Sequence, residues 1–327
     1  MLHRDQHIHC CHTFSDDMSD TNMPYPRITL RSVLPELNSA LTNFQSSKSR
    51  FRVVKTINPT PTTTPPSPRT LFILDSSFNP PSSAHLSLAE SALHQKSTSN
   101  HRGPYRLLLL FSTHNADKAP SAASFPERLA LMAVFAQDLL SHLQVANKKD
   151  SEAFHVPTID IGLTTAPYYT DKSEAVNGDT EGKAVYPDAP MHVHLLGYDT
   201  LTRFFAAKYY PSFSPPLSAL NPYFQAGHVL RATLRPIDEY GTVKDQKEFI
   251  ARLERGDMEH EGGKKEWARQ IEVVEAGDGV GVSSTKVRHA AKKGDWKQVR
   301  SLCTPGVANA VEIDQIYADD DRGAKMA

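Results

Sequence analysis

With 327 residues the chain is long enough to bury a substantial core, as one large or two ordinary domains. Its 36 basic and 37 acidic residues leave a formal net charge of −1, so no global field draws it to nucleic acid or to an anionic membrane, and any anion site has to be local. Three cysteines, Cys10, Cys11 and Cys303, do not make a disulfide framework, and no apolar run approaches the ~20 residues that span a bilayer; a cytoplasmic or nuclear protein is expected.

The chain opens with His3, His7, His9, Cys10, Cys11 and His12, but these lack the spacer and the second distant pair of a zinc site, so no metal site is expected. Asp5, Asp16, Asp17 and Asp20 argue against a mitochondrial presequence. Leu34, Leu37, Leu41 and Phe44 step by three and four, which predicts an amphipathic helix over Ser32–Gln45, docked on the main domain or offered to a partner. Phe51–Ile57 reads as a short extended segment, and the five prolines of Asn58–Pro68 as a stiff connector. Residues 1–68 are therefore read as an extension dispensable for catalysis, with a role in homo-oligomer or partner contact left open, and the functional domain as 69–318.

Leu71-Phe72-Ile73-Leu74 is an uninterrupted apolar run, as expected of a strand buried on both faces. Asp75-Ser76-Ser77-Phe78-Asn79-Pro80-Pro81 turns and stiffens the chain, and Leu86, Ala89 and Leu93 then share a helical face. A loop ahead of a helix start can receive a phosphate, and Ser82 and His85, three apart, share a face of the first turn that would look at it. An ordinary βα loop with Ser83 as N-cap fits these residues equally well.

Leu107–Leu110 is a second buried strand, followed by a loop carrying Asn115, Asp117 and Lys118. Ser124 and Glu127 form a capping box for a long apolar helix, and Arg128 is read as pairing with a carboxylate rather than reaching phosphate. His155–Ile161 is expected as the third strand, Ala166–Asp171 as an aromatic loop, and Glu174–Asp188 as an aperiodic insertion. Met191–Leu196 is the fourth strand; His192 and His194 on it read as a buried or edge pair, not as a metal site. Gly197-Tyr198-Asp199-Thr200 follows, either as a ligand loop or as a helix capped by Asp199. Strands are further expected at Ala226–Leu230 and Ile271–Val274, and a helix over Thr242–Arg255. Gly277, Gly279 and Gly281 lack the offset of a dinucleotide fingerprint and read as a flexible lead into Val282-Ser283-Ser284-Thr285-Lys286-Val287-Arg288, where hydroxyls open a helix and two cations follow. Residues 319–327 are an acidic tail.

Two of these stretches carry a resemblance. Ser76–His85 resembles the first motif of the nicotinamide and nicotinate mononucleotide adenylyltransferases of the nucleotidylyltransferase superfamily, G-x-F-x-P-x-[H/T]-x-x-H, with Ser76 in place of the glycine and Ser82 in place of the His or Thr. Val282–Arg288 resembles the later I-S-S-T-x-x-R motif, and Gly197 and Asp199 match a Gly-x-Asp motif. The resemblance implies an α/β fold with a Rossmann-like doubly wound parallel sheet, and adenylyl transfer from ATP to nicotinamide or nicotinate mononucleotide by in-line attack, with Mg2+ carried on ATP. It further implies electrostatic catalysis by His85, Arg288 and Lys286, and nucleotide contacts at Ser76, Ser77, Phe78, Ser82, Lys118, Gly197, Asp199, Ser283, Ser284 and Thr285. Tyr168, Tyr169 and Thr170 would lie near the pyridine ring. Another nucleotidylyltransferase, or an ATP-binding or ATP-hydrolysing relative acting through protein partners, stands as the alternative.

Overall fold

The computed structural model describes residues 27–60, 65–94, 100–113, 123–149, 156–180, 183–235, 241–277, 279 and 281–318. The N-terminal His and Cys cluster, Lys118 and the acidic tail lie outside the described residues. Seven strands form one sheet: β1 (Phe51–Ile57), β2 (Thr70–Asp75), β3 (Tyr105–Ser112), β4 (Thr158–Thr164), β5 (Met191–Gly197), β6 (Val229–Thr233) and β7 (Ile271–Val274). Their spatial order is β1-β4-β3-β2-β5-β6-β7; every pairing is parallel except β1 with β4. This is the doubly wound order with one antiparallel strand added at an edge, and the order reverses at β2, between β3 and β5.

The apolar run of β2 has a partner for each face. Phe72 and Leu74 enter the larger core with the long helix α3 (Phe125–Lys149), while Leu71 and Ile73 enter a smaller cluster with Phe51, Leu108 and Tyr186. All four are at most 1% exposed, which at roughly 1.5–3 kcal/mol each anchors this strand firmly in the sheet. By length and composition α3 is apolar enough to cross a membrane, more so than the sequence reading allowed. Here its side chains are spent on the protein core instead. Glu127 accepts the Ser124 amide at 2.7 Å and closes the expected capping box.

Helix α1 (Leu30–Gln45) buries Leu30, Val33, Leu37, Leu41 and Phe44 in that same core. Strand β1 pairs with β4, and Lys55 meets Glu36 at 2.9 Å between the two elements. Residues 30–57 are thus part of the domain core, which corrects the division of the chain at residue 69. Composition marked the proline connector; only the cross-chain pairing reveals that the strand before it closes the sheet.

Other boundaries shift for local reasons. Strand β4 starts at Thr158 and not at His155, because Pro157 has no N–H for the ladder. Strand β6 starts at Val229, because Ala226 and Gly227, the latter at φ +76°, end the short helix at Asn221–Gln225. The aromatic loop and the stretch read as aperiodic contain the helix α4 (Tyr169–Asn177) and a two-residue hairpin, Asp179–Thr180 with Lys183–Ala184. Asp199 does not cap a helix: Gly197 is the N-cap of α5 (Tyr198–Phe204), and Asp199 sits inside its first turn.

Candidate active site

The switch point of the sheet brings together the loop after β2 and the loop after β5. Residues 76–82 run from β2 into α2 (Ser83–Leu93), and their carbonyls are pinned from behind. Arg128 of α3, only 5% exposed, donates through Nε to the Ser77 carbonyl at 2.8 Å, with its guanidinium 4.5 Å above the Phe111 ring. Burial, outweighing the attraction of Tyr317 and reinforced by Arg288, lowers this guanidinium to about 10. The Asn79 carbonyl accepts from Arg288 Nη1 at 2.8 Å, and the Pro80 carbonyl from Ser284 Oγ at 2.8 Å. Cys303 Sγ reaches the Pro81 carbonyl at 3.5 Å, and Tyr317 OH donates to Asn79 Oδ1 at 3.0 Å.

These holds support a strained residue: Phe78 is buried at φ +42°, a region that costs a non-glycine residue about 1–3 kcal/mol. With the carbonyls of Ser77 and Asn79 turned into the protein, the amides of Ser77, Phe78 and Asn79 have no acceptor among the described residues. A run of free amides beside a helix N-terminus is an anion cradle.

His85 lies at the rim of the cradle, its ring 5.2 Å from that of Phe78. The Ser82 amide donates to His85 Nδ1 at 3.0 Å, and Ser82 Oγ is also 3.0 Å from it. An amide N–H can only donate, so Nδ1 accepts and the proton sits on Nε2, which is 2.9 Å from Ser76 Oγ. The ring in this arrangement is a neutral donor at Nε2. Ser82 was expected to look at the phosphates; it is 0% exposed and serves as N-cap of α2, beneath the ring.

The later motif is bolted to the first. Ser283 caps the helix Ser284–Lys292, its hydroxyl accepting the Lys286 amide at 3.3 Å. Ser284 and Arg288 hold the loop as described, while the exposed Thr285 accepts from Arg288 Nη2 at 3.3 Å. Lys286 Nζ folds back to the Gly281 carbonyl at 2.6 Å. The glycine lead is not merely flexible: a Cβ at Gly279 would come within 3.0 Å of Ala84 Cα, so Gly279 lets this segment lie against the first turn of α2.

On the β5 side, a Cβ at Gly197 would meet Asp199 Oδ1 at 2.7 Å. Arg235, two residues beyond β6, lies 3.7 Å from that oxygen and donates to the Val282 carbonyl at 3.0 Å. It joins the Asp199 loop to the later motif, a role that no local pattern marks. The buried Gln246 fixes its backbone, accepting the Arg235 amide at 2.9 Å and donating to the Arg235 carbonyl at 2.6 Å.

Tyr169 and Thr170 form the start of α4, with Tyr168 ahead of it. Tyr169 packs edge-on against His194 at 5.1 Å and Phe204 at 6.0 Å; burial, then the carboxylates of Asp75 and Asp199, push its phenol well above the usual range. Tyr168 faces Tyr210 at 6.2 Å. Lys172 of α4 pairs with Asp75 at the end of β2, both nearly enclosed. The Arg128 expectation is corrected: its guanidinium holds a backbone carbonyl and two aromatic faces, not a carboxylate. The residues that sequence reasoning missed, Tyr317, Arg235 and Lys172, lie far along the chain from the loop they support.

No protein-family model matches the chain. A Schizosaccharomyces pombe (strain 972 / ATCC 24843) protein described as "Putative nicotinamide mononucleotide adenylyltransferase" is 27% identical over 253 residues, covering 77% of this chain and 87% of its own length. Among solved structures, a "Putative Nicotinate-nucleotide Adenylyltransferase from Vibrio parahaemolyticus" is 17% identical, with 77% of this chain and 96% of that one covered and a TM-score of 0.31. A Plasmodium falciparum nicotinic acid mononucleotide adenylyltransferase complexed with NaAD is 11% identical, with 76% and 98% covered and a TM-score of 0.37. The sheet order, with the amide cradle at its switch point, defines a Rossmann-like α/β protein. Within that fold, the sequence similarity is to the Schizosaccharomyces pombe protein described as a nicotinamide mononucleotide adenylyltransferase.

Proposed function

We propose that the chain transfers the adenylyl group of ATP to nicotinamide or nicotinate mononucleotide, forming NAD or deamido-NAD and pyrophosphate. The observation that carries this reading is the loop 77–79, whose Ser77 and Asn79 carbonyls are pinned inward while its three amides stay open to an anion. The Schizosaccharomyces pombe relative supports the choice of substrates. An oxygen of the mononucleotide phosphate attacks the α-phosphorus of ATP, the bond to the bridging α–β oxygen breaks, and pyrophosphate leaves with that electron pair. The nucleophile is already ionised at neutral pH, so no base is required, and catalysis consists of alignment and charge stabilisation.

The phosphates would sit on the cradle amides beside Arg288, Lys286 would join them by leaving the Gly281 carbonyl, and Asp199 beside Gly197 would offer a carboxylate to a ribose. Asp75 and Asp199, the carboxylates at the switch point, are engaged by Lys172 and Arg235, which fits a Mg2+ held by the nucleotide phosphates rather than by a protein cage. Such an ion would neutralise charge on the leaving pyrophosphate.

The test is to incubate the full chain and Mg2+ with ATP alone and with ATP plus each of the two mononucleotides, following dinucleotide, pyrophosphate, ADP and phosphate. Equimolar dinucleotide and pyrophosphate are expected. ADP and phosphate from ATP alone, without dinucleotide, would instead assign an ATP-hydrolysing relative.

A further inference from the structure

In the first motif, Ser76 stands where the related enzymes have glycine, and its hydroxyl contacts His85. The direction of that hydrogen bond is fixed from the other side of the ring. The Ser82 amide donates to Nδ1 at 3.0 Å, so Nε2 carries the hydrogen and the Ser76 oxygen, 2.9 Å away, accepts it. A serine hydroxyl that accepts one hydrogen bond still has its own hydrogen to give. The Ser76 amide is tied to the Leu110 carbonyl at 3.3 Å, which holds the residue in place, and the side chain is half-buried beside the free amides of Ser77 and Phe78.

We propose that Ser76 is the terminal donor of a relay, Ser82 amide to His85 to Ser76 hydroxyl, and that this hydroxyl, not the imidazole, makes the contact with the phosphoryl oxygens of the nucleotide. No bond other than hydrogen bonds is made or broken by the relay. Each bond polarises the next, so the outward hydroxyl is a stronger donor than an isolated serine. The proposal rests on the adenylyl-transfer reading for its substrate, and it turns a departure from the motif into a working part of the site.

The experiment compares Ser76→Ala, Ser76→Gly, Ser76→Thr, His85→Ala and the Ser76→Ala/His85→Ala pair in the full chain, with matched thermal melts showing that each is folded. Loss of a preorganised donor is expected to lower kcat about a hundredfold in Ser76→Ala and in Ser76→Gly, with KM for ATP changed only a few-fold. Ser76→Thr, which keeps the hydroxyl, should retain most of the activity, and the double variant should be no worse than the poorer single one, since both remove the same relay. A Ser76→Gly enzyme as fast as or faster than the wild type would overturn the proposal by showing that the hydroxyl merely competes for the His85 proton. Multiplying losses in the double variant would do the same.

Calorimetric binding of α,β-methylene-ATP separates this outcome from failure of the transfer reading. If the wild type makes no dinucleotide, that reading falls, yet the relay still requires Ser76→Ala to bind the analogue about fivefold more weakly. Equal affinity would refute the relay on its own.

Discussion

Arg128 shows how a single side chain can shape a site it never faces. Its guanidinium spends Nε on the Ser77 carbonyl and its planar face on Phe111 and Phe125, so charge, fork and stacking are all in use. Arg128→Lys would keep only the charge. We expect it to lower the denaturant midpoint by the equivalent of about 1–3 kcal/mol with an unchanged m-value, and to raise KM for ATP as the loop loosens. A variant with wild-type stability and KM would remove Arg128 from the account of the cradle. Arg288→Lys, which loses the arm that reaches Asn79, should cost about tenfold in kcat/KM. The motif residues themselves were legible, because phenylalanine, prolines and histidine at fixed offsets in one loop form a local pattern. Their directions were not: Ser82 turned under the imidazole and Arg128 took a carbonyl, choices set by partners 3 and 51 residues away.

At the scale of elements, helices declared themselves through periodicity and strands through apolar runs, so α1 and β2 to β5 were readable with small boundary errors. The edge pairing of β1 with β4 was not, since Phe51 finds Thr164 across more than one intervening helix and strand. The consequence for a truncated protein reverses the expectation drawn from composition. Removing residues 1–68 strips an edge strand and a helix that fills the core, so the shortened chain should be recovered aggregated or with a broad, early melt. Leu37→Ala tests the same packing gently: Leu37 is 0% exposed, and a cost of about 2–5 kcal/mol is expected in urea unfolding. A cost below about 0.5 kcal/mol, the size of an ordinary surface change, would mean that α1 is only loosely seated.

The molecule as a whole has an acid-sensitive seam where β5 meets β6. His192 and His228 stack at 4.2 Å, His192 Nε2 donates to Asn177 Oδ1 at 3.0 Å, and His194 Nδ1 donates to Tyr223 OH at 2.8 Å. Burial first, then repulsion from His228, holds His192 and His194 well below the ordinary range, and burial lowers His228 to about 4. The unfolded chain takes up these protons near pH 6.5 and the folded one does not. Their contribution is therefore complete above about pH 6.5 and shrinks as pH falls toward 4, at up to about 1.4 kcal/mol per unit for each ring. Thermal melts from pH 7.5 to 4.5 should show that decline, and His228→Gln should flatten it; equal slopes in the two proteins would exclude the seam. The clamp on the loop after β2 has a different consequence, one of timing. Asn79 is gripped by Arg288, 209 residues later, and by Tyr317, 238 residues later. During synthesis the sheet can begin to assemble from its first strands, but the cradle acquires its shape only once the last helices have left the ribosome. A half-made chain can hold a core and still lack the anion cradle.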